Sequence, residues 1–310
     1  MIIVLSIFLS FFILVILVSV LFFSIAVCRK HNSANESRIC EVCILRAKYK
    51  KEIIDGNSWI NSMHYDDIYI NSRDGLKLHG IYLSNENSKR TLILFHGYGS
   101  VAIFDLACIA RFYYNQGFNI LIPDQRTHGS SEGKYIGFGV LEKFDCVQWI
   151  DYINNNYNLP DVFLYGVSMG ATTVLMAAGL GLPKNVKGII SDCGFTSIKE
   201  LFAKILIKDF KISKFPIYYM ASIMSKVLAG YYFKDGSTVE AVKNSKIPLL
   251  IFHGGNDSLI PKNMSKSIYD ASVSEYKRIC IIENADHAEC YASDSIKYEH
   301  ESIGFLNRIA

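Results

Sequence analysis

The pentapeptide Gly166-Val167-Ser168-Met169-Gly170 sets one serine between two glycines, after the apolar run VFLY and before the small-residue stretch ATTVLMAAGL. This is the G-x-S-x-G spacing of a nucleophile elbow, in which a strand turns sharply into a helix and holds the serine hydroxyl exposed. Gly166 and Gly170 omit the Cβ atoms that would block so close a turn. A serine hydroxyl needs a base to become a useful nucleophile. Asp257, in HGGNDSLIP, and His287, in ADHAEC, follow in the chain order Ser, Asp, His. His287 is the candidate proton acceptor and Asp257 its orienting carboxylate. Asp192 competes for that second role; the local sequence around Asp257 favours the latter. Asp286 is read as a turn residue. His96, His128 and His253 are read as structural, each bonded to its own loop.

Charge developing on an attacked carbonyl oxygen needs two N–H donors. The amide of Met169, just after the serine, is one candidate. The amide of Tyr98, in His96-Gly97-Tyr98-Gly99-Ser100, is the other, with Gly97 and Gly99 letting that backbone turn inward.

These residues need a scaffold. TLILF, NILIP, VFLY, VKGII, PLLIF and KRICII are short apolar runs separated by helical stretches. That rhythm predicts a parallel sheet covered on both faces. Alternating residues around Arg73-Asp74-Gly75 predict an antiparallel hairpin before it, for a mixed sheet of about eight strands. Every candidate site residue then falls at the C-terminal edge, where sites of such sheets form. Residues 198–245 exceed a normal crossover and are expected to form a small helical cap, the alternative being two ordinary covering helices. Lys204, Lys208 and Lys211 are expected on one helical face. In this segment Glu200, Asp209 and Asp235 face an excess of lysines, a balance that favours an apolar or anionic acyl substrate over a free N-terminal amine.

The residues from Ile2 to Val27 carry no charge. As a helix they would extend ~39 Å, enough to cross a bilayer. No basic residue precedes the run and it exceeds a signal peptide's apolar core, so residues 1–28 are read as a retained transmembrane anchor. Residues 29–65 are read as a basic juxtamembrane linker, either a solvated surface or one resting on anionic lipid headgroups. Its basic residues lean the catalytic domain, residues 66–310, toward the cytoplasmic side.

The 310-residue chain has a net charge of +3 and no zinc-finger, Walker or RNA-binding signature, which sets nucleic acid aside. Its eight cysteines are scattered. Cys40 and Cys43 have CxxC spacing without a second ligand pair, so no metal is expected, and whether they pair is open.

The motifs HGYGS, DQRTHGSSEGKYIGFG, GVSMG, SDCGFTS, HGGNDSLIP and ADHAEC occur in this order between residues 66 and 310. In this the chain resembles the α/β-hydrolase superfamily. It looks most like the bacterial membrane-anchored branch near serine-aminopeptidase-like and acylaminoacyl-peptidase-like hydrolases. The resemblance implies the α/β-hydrolase fold and hydrolysis of esters, thioesters or amides without cofactor. It also implies structural roles for Arg126 and His128. The expectation is a membrane-anchored serine hydrolase acting on a small acyl substrate. The alternatives are a serine peptidase and a non-catalytic hydrolase-fold binding protein. Oligomeric state is not legible.

Overall fold

A computed structural model describes residues 2–29, 47–86, 88–158 and 160–309. Cys40 and Cys43 lie outside these residues. Eight strands form one sheet: β1 (Asp66–Asn71), β2 (Lys77–Leu83), β3 (Arg90–Phe95), β4 (Asn119–Pro123), β5 (Asp161–Val167), β6 (Val186–Asp192), β7 (Leu249–Gly254) and β8 (Lys277–Ile282). Their order is β1-β2-β4-β3-β5-β6-β7-β8. The β1–β2 and β2–β4 pairs are antiparallel and all others parallel. The expected hairpin turns at Asp74-Gly75, where Gly75 takes φ +85°, a left-handed conformation that costs glycine little.

The helices are α1 (Ile2–Ala26), α2 (Lys50–Ser62), α3 (Ala102–Asn115), α4 (Glu142–Asn156), α5 (Met169–Ala178), α6 (Ile198–Lys204), α7 (Ile217–Ala229), α8 (Thr238–Val242), α9 (Asn263–Ala271), α10 (Cys290–Ser293) and α11 (Ser295–Ile309). Strand pleating sends alternate residues to opposite faces. Leu92, Leu94, Phe163 and Tyr165 pack with α3 and α11 on one side. Ile93, Phe95, Val162 and Leu164 pack with α4 and α5 on the other. The apolar runs are therefore unbroken because both faces are covered.

Between β6 and β7, α6 to α8 form a third apolar layer over the sheet's C-terminal edge. Ser197 caps α6 by accepting from the Glu200 amide at 3.2 Å. The lysine face expected here does not form. The α-helix ends at Lys204, a π-helical turn covers Ile205–Asp209, and Lys211 has left the helix at φ +54°. The wider turn and the break rotate Lys208 and Lys211 away from the register an unbroken helix would impose.

The helix α1 is long and apolar enough to cross a membrane. Its first part, Ile3 to Leu14, is exposed, while Val15, Ser19, Phe23 and Val27 are buried. The buried face packs on α7 and the cap core. Beyond it the chain docks on residues 134–136: the Arg29 amide donates to Lys134 O and the Ile136 amide to Val27 O, both at 2.8 Å.

Candidate active site

Ser168 joins β5 to α5 with φ +55° and ψ −115°, a conformation that L residues rarely hold outside strained functional turns. The flanking glycines are sterically required. A Cβ on Gly166 would lie 2.2 Å from the Gly170 carbonyl, and one on Gly170 would lie 2.0 Å from Phe95 O. Both distances are far inside van der Waals contact, so α5 can pass over β3 and β5 only where these side chains are missing.

The loop after β8 brings His287 to this turn. Its Nε2 is 2.9 Å from Ser168 Oγ and its Nδ1 is 2.8 Å from Asp257 Oδ2. An ionised carboxylate only accepts, so Nδ1 carries the proton and Nε2 is left to accept from the serine hydroxyl. Asp257, on the loop after β7, has a fully buried side chain. Its Oδ1 accepts from the amides of Leu259 at 3.0 Å and Ile260 at 2.6 Å. Burial alone would raise this carboxyl. Hydrogen bonds from His253 and His287 outweigh it and hold Asp257 well below the usual carboxylate range.

His253 bonds its own loop, as expected, and that loop carries Asp257. Its Nε2 bonds to Ile260 O at 2.8 Å but also lies 3.3 Å from Asp257 Oδ2, and its Nδ1 meets Ser265 Oγ at 2.6 Å. The rival Asp192 is buried at the end of β6, and its Oδ1 has no hydrogen-bond partner. Burial raises its carboxyl above the ordinary range. Asp286 accepts from the amides of Ser258 and His287 at 2.8 and 2.7 Å, which sets the loop carrying His287.

Cys193, Asp257 and His287 hold ligand-type atoms within 4.8 Å of one another. These residues fit a metal poorly. Asp257 and His287 already bond each other, and burial keeps the Cys193 thiol protonated, whereas ligation needs the thiolate.

The loop after β3 lies against the serine: a Cβ on Gly97 would be 3.6 Å from that of Ser168. Tyr98 is thereby beside Ser168, and Met169 opens α5 immediately behind it. The first amides of a helix have no partner within it. The histidines brace neighbouring loops as well as their own. His96 Nδ1 donates to Gly97 O at 2.7 Å while its Nε2 accepts from the Gln125 amide at 2.9 Å. His128 Nδ1 donates to Arg126 O at 2.9 Å while its Nε2 accepts from the Gly99 amide at 3.0 Å. Arg126 is buried and bonds Asp145 at 2.6 and 2.7 Å and Asp74 at 2.9 and 3.1 Å, pinning the first hairpin to α4.

Above Ser168 lies an apolar cavity of about 340 Å³, and among the described residues every one that lines it is uncharged. Phe138 and Phe202 form part of its wall, with the cap residues Leu206 and Phe210. So do Leu21, Phe22 and Ile25 of α1, which nothing in the sequence pattern marked as part of a site. Phe22 meets Phe202 edge-to-face at 5.1 Å, and Tyr98 stacks on Phe138 at 5.5 Å.

Comparison with known proteins gives the arrangement a lineage. A family model described as serine aminopeptidase, S33, matches residues 86–242, just over half of the chain. The uncharacterized Bacillus subtilis protein YqkD is 26% identical over 264 residues, covering 84% of this chain and 86% of that protein. The yeast protein YNL320W, described as an uncharacterized membrane protein, is 26% identical over 235 residues, covering 74% of this chain and 76% of its own. Among solved structures, the Pyrococcus furiosus esterase Pf2001 superposes with a TM-score of 0.66 at 22% identity, covering 80% of this chain and 92% of the esterase. That likeness is one of fold. The chain belongs to the serine aminopeptidase S33 family of α/β-hydrolases.

Proposed function

We propose that this protein is a membrane-anchored serine hydrolase that cleaves acyl esters or thioesters. The observation that carries the reading is the single imidazole of His287, bonded to Ser168 Oγ on one nitrogen and Asp257 on the other, beneath an uncharged cavity. Ser168 Oγ attacks the acyl carbonyl as His287 Nε2 takes its proton. Asp257, ionised, holds the imidazolium that results. The amides of Met169 and Tyr98 receive the negative charge on the carbonyl oxygen. His287 returns the proton to the departing alcohol or thiol, leaving an acyl-Ser168 ester. Water, deprotonated by His287, then releases the carboxylic acid and restores the serine. The helix α1 anchors the enzyme, and the basic residues that follow it, Arg29, Lys48 and Lys51 among them, favour a cytoplasmic catalytic domain.

The family description includes aminopeptidases, which need an anionic group to hold the substrate amine. Among the described residues the cavity offers no carboxylate, and esters and thioesters are preferred on that ground. A fluorophosphonate probe should label the wild type and not Ser168→Ala; equal labelling of both would sink the assignment. A panel of p-nitrophenyl acyl esters against aminoacyl and acyl-aminoacyl anilides separates the bond classes. Turnover of anilides alone would make the protein a peptidase.

A further inference from the structure

We infer that α1 is a wall of the substrate site as well as an anchor, and that the substrate is a long-chain acyl ester drawn sideways from the bilayer. The inference rests on the reading of Ser168 as nucleophile and α1 as a membrane span.

The unbroken apolar course of α1 sets the surroundings of the cavity. Ile3 to Leu14 of α1 stands clear of the rest of the protein, and the same uncharged helix runs on without a break through Val15 to Phe22. If α1 spans a bilayer, no charged side chain marks the edge of the hydrocarbon before Arg29, so these residues lie at acyl depth. Those are the residues that pack on the cap, and Val18, Leu21 and Phe22 line the cavity. The cavity mouth therefore meets lipid rather than bulk water.

The surface around the mouth has the matching chemistry. Leu21, Ile25, Phe210, Ile212 and Leu259 line the cavity and are also exposed, so its rim is apolar. On α7, which packs along α1, Tyr219, Ile223 and Val227 form a stripe at four-residue spacing and are 48%, 58% and 77% exposed. Such a patch is costly in water and favourable in the acyl region. Lys208, Lys211 and Lys214 are exposed and interleave with Phe210, Ile212 and Phe215, which suits anionic headgroups above an acyl layer. The stripe lies on the helix that packs on α1 and the rim includes Leu21 and Ile25 of α1 itself, so the occupant they fit is the same leaflet.

The test compares the full-length protein on two substrates, p-nitrophenyl palmitate partitioned into phosphatidylcholine–phosphatidylglycerol vesicles and p-nitrophenyl butyrate in water. Ile223→Glu with Val227→Glu, outside the cavity and the catalytic residues, should lower palmitate turnover about tenfold or more and leave butyrate turnover within about twofold. An unchanged palmitate-to-butyrate ratio would overturn the lipid-entry inference while leaving the serine hydrolase standing. A wild type that neither labels with fluorophosphonate nor hydrolyses butyrate would overturn both. Should the double variant fail to fold, Val227→Trp gives an independent reading. Its fluorescence should be quenched by lipids brominated in the acyl chain, beyond the quenching of Trp59 and Trp149 in wild type. No added quenching overturns the inference.

Discussion

The Tyr98 hydroxyl donates to the carbonyl oxygen of Ile25 at 2.9 Å, tying the loop beside Ser168 to the last turn of the apolar N-terminal helix. Tyr98→Phe deletes this bond and keeps the ring on Phe138. A hydrogen bond of this kind contributes ~1 kcal/mol, so kcat on p-nitrophenyl butyrate should fall by up to about fivefold without loss of folding. Steady-state kinetics in detergent check this. An unchanged kcat would uncouple the helix from the loop beside Ser168.

The choice between Asp257 and Asp192 separates cleanly by amide substitution. Asp257→Asn places a donor where His287 Nδ1 needs an acceptor, and turnover should drop by ~10⁴. Asp192→Asn replaces a buried carboxyl, while both ring nitrogens of His287 are bonded to Asp257 and Ser168, and should cost less than about tenfold. Equal losses in kcat from the two variants would reverse the assignment.

The elbow glycines predict a failure of folding rather than of chemistry. In Gly170→Ala the new methyl meets Phe95 O at 2.0 Å, a contact with backbone on which no side chain can give way. The variant should lose several kcal/mol, on the order of the largest single-residue effects. Thermal melts should show a large drop in Tm or no folded protein. A native-like Tm would contradict the packing of α5 on β3.

His79 gives the first hairpin a pH dependence. Its ring lies between Asp124 Oδ2 at 2.8 Å and Asp67 Oδ1 at 2.9 Å. The bond to Asp124 leads in raising its pKa above the ordinary value, against the opposing effect of burial. A group raised in the folded state contributes stability that is complete below its unfolded pKa of ~6.5 and is lost as pH rises through the folded value. The Tm difference between wild type and His79→Gln should therefore be larger near pH ~5.5 than near pH ~9. The reverse trend would show that the ring is not held as a cation.

Much of the site was legible because its signals are local. Unbroken apolar strands report a sheet covered on both faces, and each ends in polar and small residues at one edge. The G-x-S-x-G turn, followed by Asp257 and His287 in order, needs only short-range chemistry and chain direction to be read. Less legible was anything set by packing across the chain. Helical periodicity carried Lys204, Lys208 and Lys211 onto one face, but a π-helical turn beside the cavity broke that register. His253 bonds its own loop as read, but the approach of its ring to the Asp257 carboxylate leaves no mark in composition.

Residue types, spacing and chain order were enough for the fold class, the three residues that could form a charge-linked Ser-His-Asp chain, and a helix able to cross a bilayer. The tertiary structure decided which carboxylate meets His287 and that α1 closes the cavity over Ser168. The physical reason is separation along the chain. Tyr98 and Ile25 are 73 positions apart and His287 and Ser168 are 119. Contacts at such distances follow from how the apolar surfaces of sheet, cap and α1 cover one another, which neither residue type nor spacing encodes locally.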